Sequence, residues 1–219
     1  MAIELKKGER VSLDNTLNNL TIGLGWDPND GTGDPFDLDA SAFMTGSNSK
    51  IPNDDYFVFY NSENRVLPDN LNKLEPYDSK KYPRIQEDYK EKTRGVSPDW
   101  SVYGALDDTT GGASDGGDDE EINVNLSKVD KNIKEIIFVV TIYDYIERKQ
   151  NFGQVRNSYI RIVNSDTNEE IMKYELDEDY STETAVEFAR LYRRGSEWKF
   201  EAMGKGHEQD LGYFVKKYN

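Results

Sequence analysis

The sequence predicts a mainly β fold: an antiparallel β-sandwich with one short helix in its C-terminal half and a partly ordered insertion at about 66–105. Three observations predict it. Apolar residues recur with a period of two, which places alternate side chains on one face of a strand. The apolar runs are rich in Val, Ile, Phe and Tyr, which suit a pleated surface. Turn-forming residues separate the runs at short intervals, so consecutive strands return antiparallel. A length of 219 residues suits a single domain, 1–219, able to bury about 70% of the surface its unfolded chain exposes.

Taken in order, "YFVFY" (56–60) is a short aromatic and β-branched strand. "IIFVVTIYDY" (136–145) is a central strand, too β-branched for a comfortable helix. In "SYIRIV" (158–163), Ile160 and Ile162 share one face and Arg161 takes the other. "EIMKYEL" (170–176) puts Met172, Tyr174 and Leu176 together, and "EWKFEAM" (197–203) turns Trp198, Phe200 and Ala202 inward. Asn164-Ser165-Asp166 and Gly204 are turn signals. The helix is expected over "STETAVEFARLYRRG" (181–195). Ser181 or Thr182 caps it, Ala185, Phe188, Ala189 and Tyr192 form its apolar stripe, and Gly195 stops it. The insertion lacks a sustained period and is expected to be ordered in part by Tyr77, Tyr82, Tyr89 and Trp100.

Composition narrows the function. A formal net charge of −15 disfavours nucleic-acid binding and attraction to anionic membranes. No apolar run approaches the roughly 20 residues of a membrane helix. The opening "MAIELKKGERVSL" has no signal-peptide core, and there is no cysteine, so a cytoplasmic protein without disulfides or thiolate metal sites is expected.

The charge is unevenly placed. No Lys or Arg falls between Arg10 and Lys50, where Asp14, Asp27, Asp30, Asp34, Asp37 and Asp39 occur. A second cation-free window, Arg94 to Lys128, holds Asp99, Asp107, Asp108, Asp115, Asp118, Asp119, Glu120 and Glu121. In the extended stretch "FDLDASAF" (36–43), Asp37 and Asp39 point the same way beside apolar neighbours. Two carboxylates about 4.5 Å apart repel by about 4 kcal/mol at an effective dielectric near 20. Water or a cation must relieve that. Calcium takes six to eight oxygen ligands, backbone carbonyls included, and Gly-rich acidic loops supply both kinds. "DPNDGTGDPFDLD" (27–39) and "DDTTGGASDGGDDE" (107–120) are such loops. Two readings follow from the residues alone: solvated acidic turns, or a cation site assembled from separate loops. An EF-hand does not fit, because counting from Asp37 the Gly position is Ala42 and the Glu position is Asn48.

Other chemistry is poorly supported. His207, in "GKGHEQDLG", has no triad setting and reads as a surface histidine. "GLGWD" (23–27) lacks the lysine of a phosphate loop. Paired acids could serve glycoside hydrolysis, but nothing sets their separation across a sugar cleft.

The motifs resemble the TerD family of tellurium-resistance and stress proteins. "LKKGERVSL" (5–13), "GLGWD", "FDLDASAF", "FVFYN" (57–61), "LDDTTG" (106–111), "GDDEEI" (117–122), "QNFGQVRNSYIRI" (150–162) and "YRRGSEWKFEAMGKG" (192–206) stand in family order. The resemblance implies a β-sandwich that binds calcium, usually two ions, in loops at one end. It implies cytoplasmic proteins of tellurite resistance, phage and colicin resistance and stress response, with no known enzymatic activity. The partners it implies are other Ter proteins and a TerC-like membrane protein, through which the chain would sit peripherally at the inner membrane. Carried over motif by motif, the metal ligands fall on Asp27, Asp37, Asp39, Asp107, Asp108, Asp118, Asp119 and Glu120, with Asn61 as a further candidate. The chain departs from the family pattern at the insertion, at Leu106 and Asp108, and at "GHEQDLG" (206–212). The competing functions are a calcium-assisted carbohydrate-binding module and a metal-dependent hydrolase.

Overall fold

The computed structural model describes residues 2–27, 33–67, 80, 92–106, 117–175 and 180–219. Two six-stranded sheets form the body. The first runs β1 (Ile3–Glu4), β12 (Glu169–Glu175), β11 (Tyr159–Asn164), β3 (Asn19–Gly25), β9 (Glu120–Asn125) and β8 (Val102–Tyr103). The second runs β2 (Arg10–Ser12), β14 (Glu197–His207), β13 (Ala185–Arg194), β10 (Glu135–Ile142), β4 (Leu38–Thr45) and β5 (Phe57–Val58). A small ribbon pairs β6 (Arg65–Val66) with β7 (Arg94–Gly95). Pairing is antiparallel except between β1 and β12.

The expected alternation builds the core. Ile22 and Leu24, Ile122 and Val124, and Ile160 and Ile162 face inward from the first sheet. Ala40, Ala42 and Met44, Phe138 and Val140, and Phe188 and Phe200 meet them from the second. The second sheet is apolar on its outer face as well. Phe43, Phe57, Ile137, Val139 and Ala185 are covered there by Phe214 and Tyr218. Those two belong to helix α2 (Leu211–Tyr218), whose N-terminus is capped by Asp210 accepting from Tyr213 N at 2.9 Å. Every residue of β4 is therefore buried.

The helix expected over 181–195 is instead strand β13, and the C-terminal helix lies at 211–218. The reason is a β-bulge. In register with β10, Val139 pairs with Glu187 and Phe138 with Ala189, so Phe188 is the extra residue. The bulge puts Phe188 and Ala189 together in the core and imitates helical spacing. Gly204, read as a turn, lies within β14, which continues to His207. Its φ of +53° and the nearby Tyr174 hydroxyl leave no room for a Cβ. "IIFVVTIYDY" ends as a strand at Ile142 and enters a short helix, α1 (Tyr145–Arg148). Within 66–105, Val66, Val96 and Tyr103 form a small cluster with Trp100; Tyr77, Tyr82 and Tyr89 lie outside the described residues.

Candidate functional site

Strand registers bring the acidic segments to one end of the sandwich. Leu24 of β3 pairs with Glu120 of β9, Gly25 with Tyr159 of β11, and Asp39 of β4 with Thr141 of β10. The ends of these strands are thus neighbours, and Ala40 of β4 meets Glu120 of β9 there.

Four carboxylates there are withdrawn from solvent: Asp37, Asp39 and Glu120 are 6%, 5% and 3% exposed, and the Asp118 side chain is 1% exposed. Glu120 shares the inward face of β9 with Ile122 and Val124, and its Oε2 accepts from Ala40 N at 2.6 Å, tying the two sheets together. Asp119 Oδ2 accepts from Trp26 N at 2.9 Å, and Asp119 N donates to Leu24 O. Asp27 is exposed; its Oδ2 accepts from Asn157 Nδ2 at 2.6 Å. Asp37 Oδ2 accepts from Arg148 Nη1 at 3.3 Å, and the Arg148 guanidinium lies 5.2 Å over the Tyr143 ring. Gln150 Nε2 donates to Asp34 O at 2.8 Å, so the segment around α1 clasps the chain leading into β4.

The acids do not all face one point. Leu38 and Ala40 belong to the sandwich core. Asp39 therefore faces outward, into a cavity of about 300 Å³ shared with Tyr60, Tyr145 and Asp210. Asn61 is exposed and lines a different, larger cavity. Asp118 lies on the outer face of the first sheet. Its Oδ1 accepts from Arg161 Nε at 2.8 Å and from the Tyr159 hydroxyl at 3.1 Å. Burial pulls the Arg161 guanidinium down, but its bonds to Asp118 and Glu170 outweigh that and hold it above its ordinary value. Burial and the Asp118 charge push the Tyr159 phenol up. This arrangement explains the glycines of "GLGWD": a Cβ on Gly23 would collide with the Asp118 carboxylate, and one on Gly25 with the Tyr159 ring. Asp107 and Asp108 lie outside the described residues.

Among the described residues, no three His, Asp or Glu side chains stand in a group that could hold a metal ion. Sequence reasoning missed the cations that engage these acids, Arg148 and Arg161. The one signal was Arg161 itself, which alternation placed on the face opposite the core. His207, expected at the surface, is half-buried between Tyr213 and Phe214.

A TerD domain model matches residues 1–70 and 93–218. The chain belongs to the TerD family. Two relatives bracket its character. The chain is 39% identical to "Tellurium resistance protein TerD" of Serratia marcescens, covering all of this chain and 97% of that one. It is 40% identical to "General stress protein 16U" of Bacillus subtilis (strain 168), with the same coverage. A crystal structure of a TerD homologue from Streptomyces coelicolor A3(2) shares the fold, with a TM-score of 0.59 at 20% identity over 91% of this chain and 95% of that one. The TerD family is thus one of tellurium-resistance and general stress proteins, and this member is mainly β as expected. Among the described residues, no helix is long and apolar enough to cross a membrane.

Proposed function

We propose that this TerD-family protein is a calcium-binding stress-response protein that works by docking to partners rather than by catalysis. The observation that supports it is the gathering of Asp27, Asp37, Asp39, Asp119 and Glu120 at one end of a rigid sandwich, three of them buried. Several carboxylates gathered at one end repel one another, and a cation relieves that repulsion. The donors are all hard oxygens, which suits calcium and not a thiolate or imidazole metal. The residues that would hold it are drawn from these five and, by the resemblance, Asp107 and Asp108. Asp118 is committed to Arg161 and would act by fixing the β9 loop.

Bound calcium would supply charge neutralisation and cross-link the loops. The side chains meanwhile hold the segments in register: Glu120 through Ala40 N, Asp119 through Trp26 N, and Asp27 through Asn157. On this reading the protein is cytoplasmic, with other Ter proteins and a TerC-like membrane protein as its partners. Calorimetric titration of the chelator-treated protein tests it. Saturable heat and a raised melting temperature are expected, and both should weaken in Asp37→Asn and Glu120→Gln. Heat and melting temperature indifferent to calcium would refute it.

A further inference from the structure

A cavity of about 610 Å³ opens on the flank of the second sheet, between β5, the segment leading to β6, and the end of α2. That size lies within the range of small-molecule sites, roughly 300–1,000 Å³. Phe57 and Phe59 line it as a parallel stack, ring centroids 4.2 Å apart and planes 11° apart. Phe57 stacks in turn on buried Phe43 at 4.3 Å, so the floor is held rigidly by the apolar layer under α2. The rim carries Asp54, Asp55 and Glu63, together with asparagine carboxamides such as Asn53 and Asn61. Among the described residues, no Lys or Arg lines it. The Lys50 ammonium is held by the carbonyls of Lys217 and Asn219, at 3.0 and 2.8 Å, which keeps it from the rim acids. Asp55 and Glu63 make no ion pair among the described residues.

We propose that this cavity binds an organic cation with an aliphatic stem, of the alkyl di- and polyamine class. Three features of the same walls select it. Aromatic faces attract cations through the ring quadrupole and accept methylenes equally well. The rim acids attract positive charge and repel anions. The carboxamide oxygens accept N–H bonds from a primary ammonium that a quaternary ammonium cannot make. A free sugar could stack on the same rings and hydrogen-bond to the acids, but it carries no charge and so would show little salt dependence.

The test uses the full chain in EGTA, so that divalent ions do not contribute. Isothermal titration with spermidine and cadaverine is expected to show saturable one-site binding that weakens as salt is raised. Phe59→Ala should weaken it by about fivefold to tenfold, the loss of one cation–aromatic contact. Asp55→Asn combined with Glu63→Gln, both at exposed positions that leave the core untouched, should weaken it by about tenfold or more. Circular dichroism showing unchanged structure keeps these losses interpretable. Three results would each overturn the proposal: no saturable heat with either amine, full affinity in the acid-neutralised variant, or equal binding of 1,5-pentanediol.

Discussion

Glu187 is the most consequential charge outside the acidic end, and its replacement tests how α2 is held. Its side chain is 1% exposed on the outer face of β13. It accepts from the Tyr218 hydroxyl at 2.9 Å and from the Lys217 ammonium, both on α2. Burial and the Glu187 charge push the Tyr218 phenol well up, so it remains a neutral donor at any physiological pH. In Glu187→Ala its two partners on α2 lose different amounts. Lys217, with 28% of its side chain exposed, can turn into water, so its share is about 0–1 kcal/mol. Tyr218 is buried, and leaving its hydroxyl unbonded costs about 1–3 kcal/mol. The vacated volume adds to this, while relief of a desolvated carboxylate subtracts. The net expectation is a loss of about 2–4 kcal/mol. In a chain of this length that lowers the melting temperature by roughly 5–15 °C. Urea unfolding followed by far-ultraviolet circular dichroism measures it, at fixed calcium. Glu187→Gln, which keeps an acceptor for Tyr218, should lose about 1 kcal/mol or less, whereas Lys217→Met, which leaves the buried carboxylate without its cation, should cost more than Glu187→Gln. If Glu187→Ala costs under about 0.5 kcal/mol, or Glu187→Gln costs as much as Glu187→Ala, the carboxylate does not anchor the helix through Tyr218.

Two further outcomes are expected. Gly23→Ala forces a methyl into the Asp118 carboxylate and should destabilise by about 1–3 kcal/mol, read in the urea midpoint; Gly8→Ala is not a fair control because Gly8 has φ +83°. His207 is lowered below its ordinary 6.5, chiefly by burial and further by Lys205 and Lys217, against an opposing Glu187. The unfolded chain then binds the proton first, so His207 stabilises fully above about pH 6.5 and loses that contribution as pH falls through its depressed folded value. Melting temperatures between pH 7.5 and 5.0 should fall more steeply in the parent than in His207→Gln, and equal slopes would refute the assignment. The Glu201 carboxylate acts in a separate window. Burial raises it, but hydrogen bonds from Arg190 and Arg10 outweigh that and leave it below 4.5, so its loss comes only at lower pH.

Where a strand has one apolar face, the period of two was readable: Ile160 and Ile162 point inward and Arg161 outward, as "SYIRIV" implies. Where both faces are buried, that signal vanishes. β4 is covered by the core on one side and by α2 on the other, so "FDLDASAF" shows no simple alternation and Asp39 could not be assigned to the outer face. At Phe188 one inserted residue shifts the period locally, and a strand acquires helical spacing. α2 escaped notice because eight residues with two buried anchors, Phe214 and Tyr218, carry too little pattern to stand out. The acids divide along the same line. Their clustering in cation-free windows is a property of composition and was visible. Their partners are not, because Arg148 reaches Asp37 from 111 residues away and Arg161 reaches Asp118 from 43. Charge compensation at this end is therefore a product of topology. The antiparallel registers that carry β3, β4 and β9 to one edge also deliver the arginines of α1 and β11 to it. A metal ion proposed for this end has to act alongside those arginines.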